Sequence, residues 1–270
     1  MAEGRMMDCT ACGQVDLDKL YDAMQGVSEG EFCYLTADEL GDKRLAAVWN
    51  RMLDSIQADR RHSLLEVNGL LGAVTSMYHA KDVIDAVGDM KTTLHYFAAG
   101  DEASRSGGAT GGGRRDAARS DEELRISQQQ GLLELSQQLN EIRLSLVQGG
   151  LRLTDKETLE ICLVDHLMWR WRVYNMILGY ERIDLNGVGT HRDCRLGNWY
   201  YGVDGQKFKG EELFASIEEP HDRLHGLAGR AIAASRNADD QEVRKSLLAM
   251  EECSELIVGK LKELIRRCKG

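Results

Sequence analysis

Four side chains of the types that bind transition metals lie between residues 166 and 225: His166, Cys194, His221 and His225. Three imidazoles and one thiolate suit zinc, which prefers four nitrogen and sulfur ligands in a tetrahedron. His221 and His225 are four residues apart, so on a helix they share one face and can bind the same ion. Pro220 directly precedes them, where proline suits the first turn of a helix. The pattern predicts one zinc ion per chain.

A zinc ion with four protein ligands has no open position for a substrate or a catalytic water, which argues against an enzyme. The alternative, a zinc-dependent enzyme, requires one ligand that leaves and a general base such as Asp165, Asp222 or Glu219. Two further alternatives are a structural zinc that only stabilises the fold and a zinc buffer. A regulatory or structural site is expected to hold zinc tightly, whereas a buffer is expected to exchange it readily.

Cys194 differs from the other three candidate ligands because it binds as an anionic thiolate. Oxidation to a sulfenic acid removes that charge and weakens coordination, so Cys194 is the predicted redox-sensing residue. Cys162 precedes His166 by one helical turn and is either a resolving thiol for Cys194 or a small core residue. The core position is favoured, because free cysteines are commonly buried as small apolar residues.

Composition predicts an all-α fold. The chain of 270 residues has one proline, and only 6% of its residues are aromatic. Few stretches alternate apolar and polar residues as strands do, whereas apolar residues at spacings of three and four recur. A helix beginning at Thr154 and Asp155 is expected to carry His166. The predicted architecture is a helical bundle of the four-helix type with the zinc site, preceded by long helices resembling a coiled coil.

Five segments follow from the changes in pattern along the chain. They are a flexible tail (1–15), a two-part helical start with a coiled helix (16–98), a glycine-rich linker (99–121), a second coil helix (122–150) and the zinc-binding bundle (151–270). Ser120 is the predicted N-cap of the second coil helix. The tail contains Cys9 and Cys12, a spacing found in redox and metal sites, but no second pair completes it.

Charge and apolar patterning exclude several classes of partner. A formal net charge of −10 disfavours nucleic acid and anionic membranes, which bind basic surfaces. No uninterrupted apolar run is long enough to span a bilayer, and residues 1–7 lack the apolar core of a signal peptide. Seven scattered cysteines do not form a secreted disulfide framework. We therefore expect a cytoplasmic protein. The remaining histidines are expected to be exposed to solvent: His62, His79, His95 and His191.

The order of the candidate ligands resembles the chemoreceptor zinc-binding (CZB) domain family. The resemblance is carried by His166 with Trp169, by residues 194–200 (CRLGNWY), and by Pro220 with the two histidines that follow. It extends over roughly residues 154 to 266. The resemblance implies a helical bundle that binds one zinc through His166, Cys194, His221 and His225. It also implies a role in bacterial sensing, with chemotaxis receptors, their kinases or cyclic-di-nucleotide synthesis enzymes as partners.

The N-terminal half resembles the start of a HAMP module or of a chemotaxis receptor coil. The residues that carry this resemblance are Asp38, Glu39, Gly41, Asn50, Met52 and Leu53. The narrow apolar stripe that follows favours pairing of helices, so a homodimer is expected. The glutamate- and alanine-rich tip by which chemotaxis receptors engage their kinase is absent from the sequence. The prediction is a regulatory protein that responds to zinc occupancy or to oxidation of Cys194.

Overall fold

The structure is a computed structural model that describes residues 15–76, 112–147, 150–182 and 189–268. Ten helices and no strand are found in these ranges, which confirms the all-α prediction. They are α1 (Leu17–Ser28), α2 (Ala37–Leu40), α3 (Lys43–Ser76), α4 (Gly112–Val147), α5 (Asp155–Ile177), α6 (Arg195–Tyr201), α7 (Val203–Gln206), α8 (Glu212–Ala215), α9 (Glu218–Arg236) and α10 (Asp240–Arg267). None of these helices is both long and apolar enough to cross a bilayer.

The described chain forms two compact units. One contains the residues up to Glu66 together with Ile142–Arg152, and the other contains Val67–Glu141 together with Leu153–Gly270. The long helices α3 and α4 therefore each contribute to both units. The boundaries of these two units differ from the boundary predicted after residue 150. The units group helix segments that contact one another, whereas the prediction divided the chain by its order.

The first unit has a small core between α1, α2 and the beginning of α3. Trp49 and Leu53 of α3 are buried there with Leu40, the last residue of α2. Asn50 fixes the loop between α1 and α2. Its side chain accepts a hydrogen bond from the Leu35 amide (3.0 Å) and donates one to the Leu35 carbonyl (2.9 Å). The family resemblance proposed for this half concerns its sequence and stays a prediction.

Helix α4 begins within the linker predicted over residues 99–121. Residues 99–111 lie outside the described residues, but α4 begins at Gly112 rather than after Ser120. Arginine and alanine predominate in residues 114–119, and both are strong helix formers. Their propensity continues the helix back to the glycines at its start. The coil predicted over residues 77–98 and the tail with Cys9 and Cys12 also lie outside the described residues.

The second unit is a bundle around α5, α9 and α10. Thr154 caps α5: its side chain accepts a hydrogen bond from the Glu157 amide, while the Glu157 carboxylate accepts one from the Thr154 amide. Helices α9 and α10 form an antiparallel hairpin, and both pack against α5. Leu133 of α4 is buried in the same core. This core holds three of the candidate ligands on long helices and carries the fourth on the short helix α6.

Candidate metal centre

Cys194 is positioned by the loop that leads into α6. It is the N-cap residue of that helix, and the Gly197 amide donates a hydrogen bond to its sulfur at 3.3 Å. Gly197 permits this arrangement because a Cβ there would lie 2.0 Å from the His191 carbonyl oxygen. The loop therefore packs directly on the first turn of α6. The backbone of the preceding loop and that of the first turn of α6 therefore fix the position of the Cys194 thiol.

His221 and His225 project from one face of α9, as their spacing predicted. Pro220 occupies the first turn of that helix. The two imidazole centroids are 5.0 Å apart, and the Cys194 sulfur lies 3.3 Å from His221 Nε2. One ligand atom from each of Cys194, His221 and His225 lies within 4.8 Å of the other two. The structure thus brings together three of the four predicted ligands into a group that could hold a metal ion.

His166 lies beside this group but outside the 4.8 Å cluster. It projects from α5, and its Nε2 is 3.1 Å from the Ser254 hydroxyl on α10. Its side chain nevertheless lines the same cavity, which has a volume of about 130 Å³. The other lining residues are Cys162, Asp165, Trp169, Cys194, Arg195, Leu196, His221 and His225. All four candidate ligands therefore line one partly open cavity.

Burial keeps the three imidazoles neutral in the protein without metal. Desolvation lowers the pKa of both His166 and His221 to about 3, with a further contribution from the neighbouring imidazoles. It lowers the pKa of His225 to about 4, against the opposing effect of a hydrogen bond to the Gly189 carbonyl. A metal ligand must be deprotonated at its donor nitrogen. Near neutral pH the site therefore presents imidazoles that need not lose a proton.

The thiol of Cys194 behaves differently from the imidazoles. Burial raises its pKa, and the Gly197 and Leu196 amides only partly oppose that effect. Without metal, Cys194 is therefore a neutral thiol near neutral pH. Binding a zinc ion would have to displace its proton, because the thiolate is the form that coordinates metal.

His191 contacts the elements that carry candidate ligands, although the sequence pattern did not predict this. Its side chain is only 15% exposed, which makes the expectation of solvent exposure wrong. His191 Nδ1 is 2.7 Å from the Asp222 carboxylate, and its Nε2 is 3.2 Å from the Tyr201 hydroxyl. Tyr201 in turn donates a hydrogen bond to Glu218 at 2.8 Å. These contacts tie the loop before Cys194 to α6 and α9. In the sequence, the position of His191 just before Cys194 was the one indication that it lies near the site.

The remaining cysteine and tryptophan predictions concern the packing around the cavity. Cys162 is buried and forms part of the core, as favoured. Trp171 and Trp199 are buried in the same core, and the Trp169 ring lies 4.4 Å from that of His225 between centroids. Trp169 therefore lines the cavity beside the candidate ligands, and Trp171 and Trp199 are packed in the core of the same unit. Their indole fluorescence offers a direct report on this part of the protein.

The family model described as the chemoreceptor zinc-binding domain matches residues 166–232. The chain carries a CZB domain. The matched segment begins at His166 and contains Cys194, His221 and His225, and it is shorter than the resemblance predicted over 154–266. No curated protein and no solved structure matches the chain.

The CZB domain is a zinc-binding family, and the donor set in this chain fits that metal. Neutral imidazole nitrogens and one cysteine sulfur are ligands that zinc accepts in a tetrahedral site. They line one cavity, and hydrogen bonds to Ser254 and to the Gly189 carbonyl orient two of the imidazoles. Cys194, His221 and His225 already lie close enough together to bind one ion. This CZB domain therefore indicates a zinc-binding function connected with signalling.

Proposed function

We propose that the protein is a regulator of bacterial signal transduction that responds to zinc occupancy or to oxidation of Cys194. The proposed ligands are His166, Cys194, His221 and His225, with one zinc per chain. When bound, zinc would hold Cys194 as a thiolate and connect α6 to α5 and α9. The observation that carries the proposal is the placement of one oxidisable ligand on a short helix and three imidazoles on long core helices.

Cys194 is the ligand proposed to report the signal. A peroxide oxidises a cysteine thiolate when the sulfur attacks one peroxide oxygen, the oxygen–oxygen bond breaks and hydroxide leaves. The resulting sulfenic acid has lost the anionic sulfur, so it is a poor ligand. Because Cys194 caps α6, its release changes the contacts of that helix and of the loop before it. The imidazoles remain on the packed helices α5 and α9.

The carboxylates near the cavity support a role without enzymatic activity. Asp165 is paired with Arg195 at 2.6 Å, and Asp222 is paired with His191 at 2.7 Å. Glu219 is exposed on α9. Asp165 and Asp222 are therefore each held by a neighbouring side chain, and Glu219 faces solvent. We propose that the purified zinc form hydrolyses neither ester nor phosphate model substrates, and turnover that depends on Cys194 or His225 would contradict this.

A homodimer is part of the proposal, with chemoreceptor, kinase or cyclase proteins as the class of output partner. Helix α4 leaves Leu135 and Ile142 partly exposed at a spacing of seven residues, which supports pairing of helices. Light scattering of the full chain tests the dimer directly. A monomeric mass at micromolar concentration would contradict it.

The experiment that tests the sensor compares metal content and conformation in three proteins: wild type, Cys194→Ala and Cys33→Ala. Cys33 is an exposed cysteine outside the site and serves as the matched control. We expect wild type and Cys33→Ala to contain one zinc per chain, and both chelation and peroxide to change their tryptophan emission. Cys194→Ala should bind zinc weakly and should not respond to peroxide.

Two results would refute the proposal. Wild-type zinc retention by both Cys194→Ala and His225→Ala would reject the ligand set. Unchanged emission and unchanged hydrogen exchange of α6 after both treatments would leave zinc with a purely structural role. Rapid exchange with a weak chelator would instead indicate a zinc buffer.

A further inference from the structure

His166 is connected to α10 by a buried hydrogen bond that the ligand pattern does not include. Its Nε2 is 3.1 Å from the Ser254 hydroxyl, and Ser254 is fully buried. The imidazole itself is 7% exposed. Both groups are buried, and in the low dielectric of a protein interior such a hydrogen bond is electrostatically stronger than one exposed to water. The hydrogen bond therefore determines which ring nitrogen of His166 is available to a metal ion in the cavity.

Ser254 is itself fixed by a charged pair. Arg170, one turn after His166 on α5, donates from Nη1 to the Ser254 hydroxyl at 3.3 Å and to the Glu251 carboxylate at 3.0 Å. The Arg170 and Glu251 side chains are only 13% and 17% exposed. An arginine always donates, so it occupies one lone pair of the serine oxygen. The second lone pair and the hydroxyl proton remain for other partners, including His166.

A neutral imidazole carries one proton, and a metal must bind the nitrogen that lacks it. At His166 the nitrogen engaged by Ser254 is Nε2, which leaves Nδ1. At His225 the engaged nitrogen is Nδ1, which is 3.4 Å from the Gly189 carbonyl, and this leaves Nε2. At His221 it is Nε2 that lies beside the Cys194 sulfur. His166 therefore differs from His221 and His225 in the ring nitrogen that it leaves for a metal ion.

We propose that His166 binds the metal through Nδ1, whereas His221 and His225 bind through Nε2, and that Ser254 is the positioning residue that imposes this difference. In the metal-bound form, His166 Nε2–H donates to the second lone pair of Ser254. Arg170 and Glu251 hold Ser254 in place. The inference deepens the proposed zinc site and rests on it. It gives α10, which supplies no ligand, a direct hydrogen bond to the metal centre.

The protonated nitrogen of each imidazole decides the proposal. Long-range proton–nitrogen correlation spectra of the ¹⁵N-labelled zinc form distinguish the two neutral tautomers. We expect a proton on Nε2 of His166 and on Nδ1 of His221 and His225. A proton on Nδ1 of zinc-bound His166 would overturn the assignment. This measurement uses the wild-type chain, so it does not depend on the stability of any variant.

Substitution tests the role of Ser254 separately. Ser254→Ala removes the acceptor of the His166 Nε2–H, and loss of such an outer partner typically weakens metal binding by about tenfold to a hundredfold. We expect that loss for zinc, measured by competition with a chelator, together with a mixture of His166 tautomers in the metal-free protein. Ser246→Ala is the matched control, because Ser246 is a buried serine on the same helix whose hydroxyl contacts Glu242.

Wild-type zinc affinity in Ser254→Ala, or an unchanged His166 tautomer in that variant, would overturn the positioning role. His225→Ala distinguishes this outcome from failure of the zinc site itself. If His225→Ala binds zinc as wild type does, the proposed site is wrong. If His225→Ala loses zinc but Ser254→Ala does not, the site stands and only the role of Ser254 is rejected.

Discussion

The number of protons released when zinc binds follows from the pKa values of the candidate ligands. An imidazole of ordinary pKa, about 6.5, is roughly three-quarters protonated at about pH 6. Three such ligands and one thiol would together release about 3.3 protons per zinc at that pH. In the folded protein, however, the pKa values of His166 and His221 are about 3 and that of His225 is about 4. These imidazoles then carry about 1% of a proton each or less, so Cys194 alone releases about one proton.

Isothermal titration calorimetry measures this number directly. Zinc is titrated into the metal-free protein at about pH 6 in two buffers of different ionisation enthalpy, and the difference in heat gives the protons released. Cys194→Ala is the control and should release almost none. A wild-type value near three would show that the imidazoles are protonated in the metal-free protein. That result would refute the reasoning from burial.

The proton on Cys194 also sets the direction in which zinc affinity changes with pH. Binding releases a proton from Cys194, so zinc affinity rises with pH and falls about tenfold for each pH unit below the thiol pKa. Since burial raises the pKa of that thiol, the dependence covers the whole range from about pH 5 to pH 8. A slope near three around pH 6 would indicate histidine titration instead.

Two pairs of substitutions test the packing that positions the site. Gly197→Ala places a Cβ 2.0 Å from the His191 carbonyl oxygen. We therefore expect it to lower the free energy of unfolding by about 1–3 kcal/mol and to weaken zinc binding. Gly229→Ala has open space within α9 and should raise the free energy of unfolding by about 0.4–1 kcal/mol. Similar losses for both would contradict the close approach of the loop. Leu247→Ala removes a fully buried side chain of α10 and should lower the free energy of unfolding, measured by urea denaturation, by about 2–5 kcal/mol. Leu248 is 54% exposed, so Leu248→Ala should change that free energy by less than about 0.5 kcal/mol. Equal effects would show that α10 faces the core differently.

The placement of His221 and His225 was accessible from the sequence because it depends on residue type and local spacing. Two histidines one turn apart after a proline predict their own geometry, and the structure places them on one helical face of α9. The helix that carries His166 was predicted in the same way, from the cap at Thr154 and the apolar pattern after it. These signals come from residues close together in the chain, so local interactions determine the structures that they predict.

The contacts that orient the ligands were not accessible, because they join residues far apart in the chain. His166 and Ser254 come from α5 and α10, and nothing in either local sequence indicates their hydrogen bond. The burial of His191 likewise depends on Asp222 and Tyr201, which fold toward it only in the tertiary structure. The start of α4 at Gly112 differs from the prediction for a different reason: the arginines and alanines over residues 114–119 are strong helix formers, and they extend the helix back to the glycines.

The candidate ligands lie on α5, α6 and α9, so an ion held by them is also a cross-link between distant points of the chain. A ligand that binds only the folded state adds about 2.7 kcal/mol of stability when its free concentration is one hundred times the dissociation constant. The folded fraction of this domain would then follow the free zinc concentration of its surroundings. Chains that lose zinc would unfold more often and would become substrates for proteolysis. The abundance of the protein would itself record the availability of the metal.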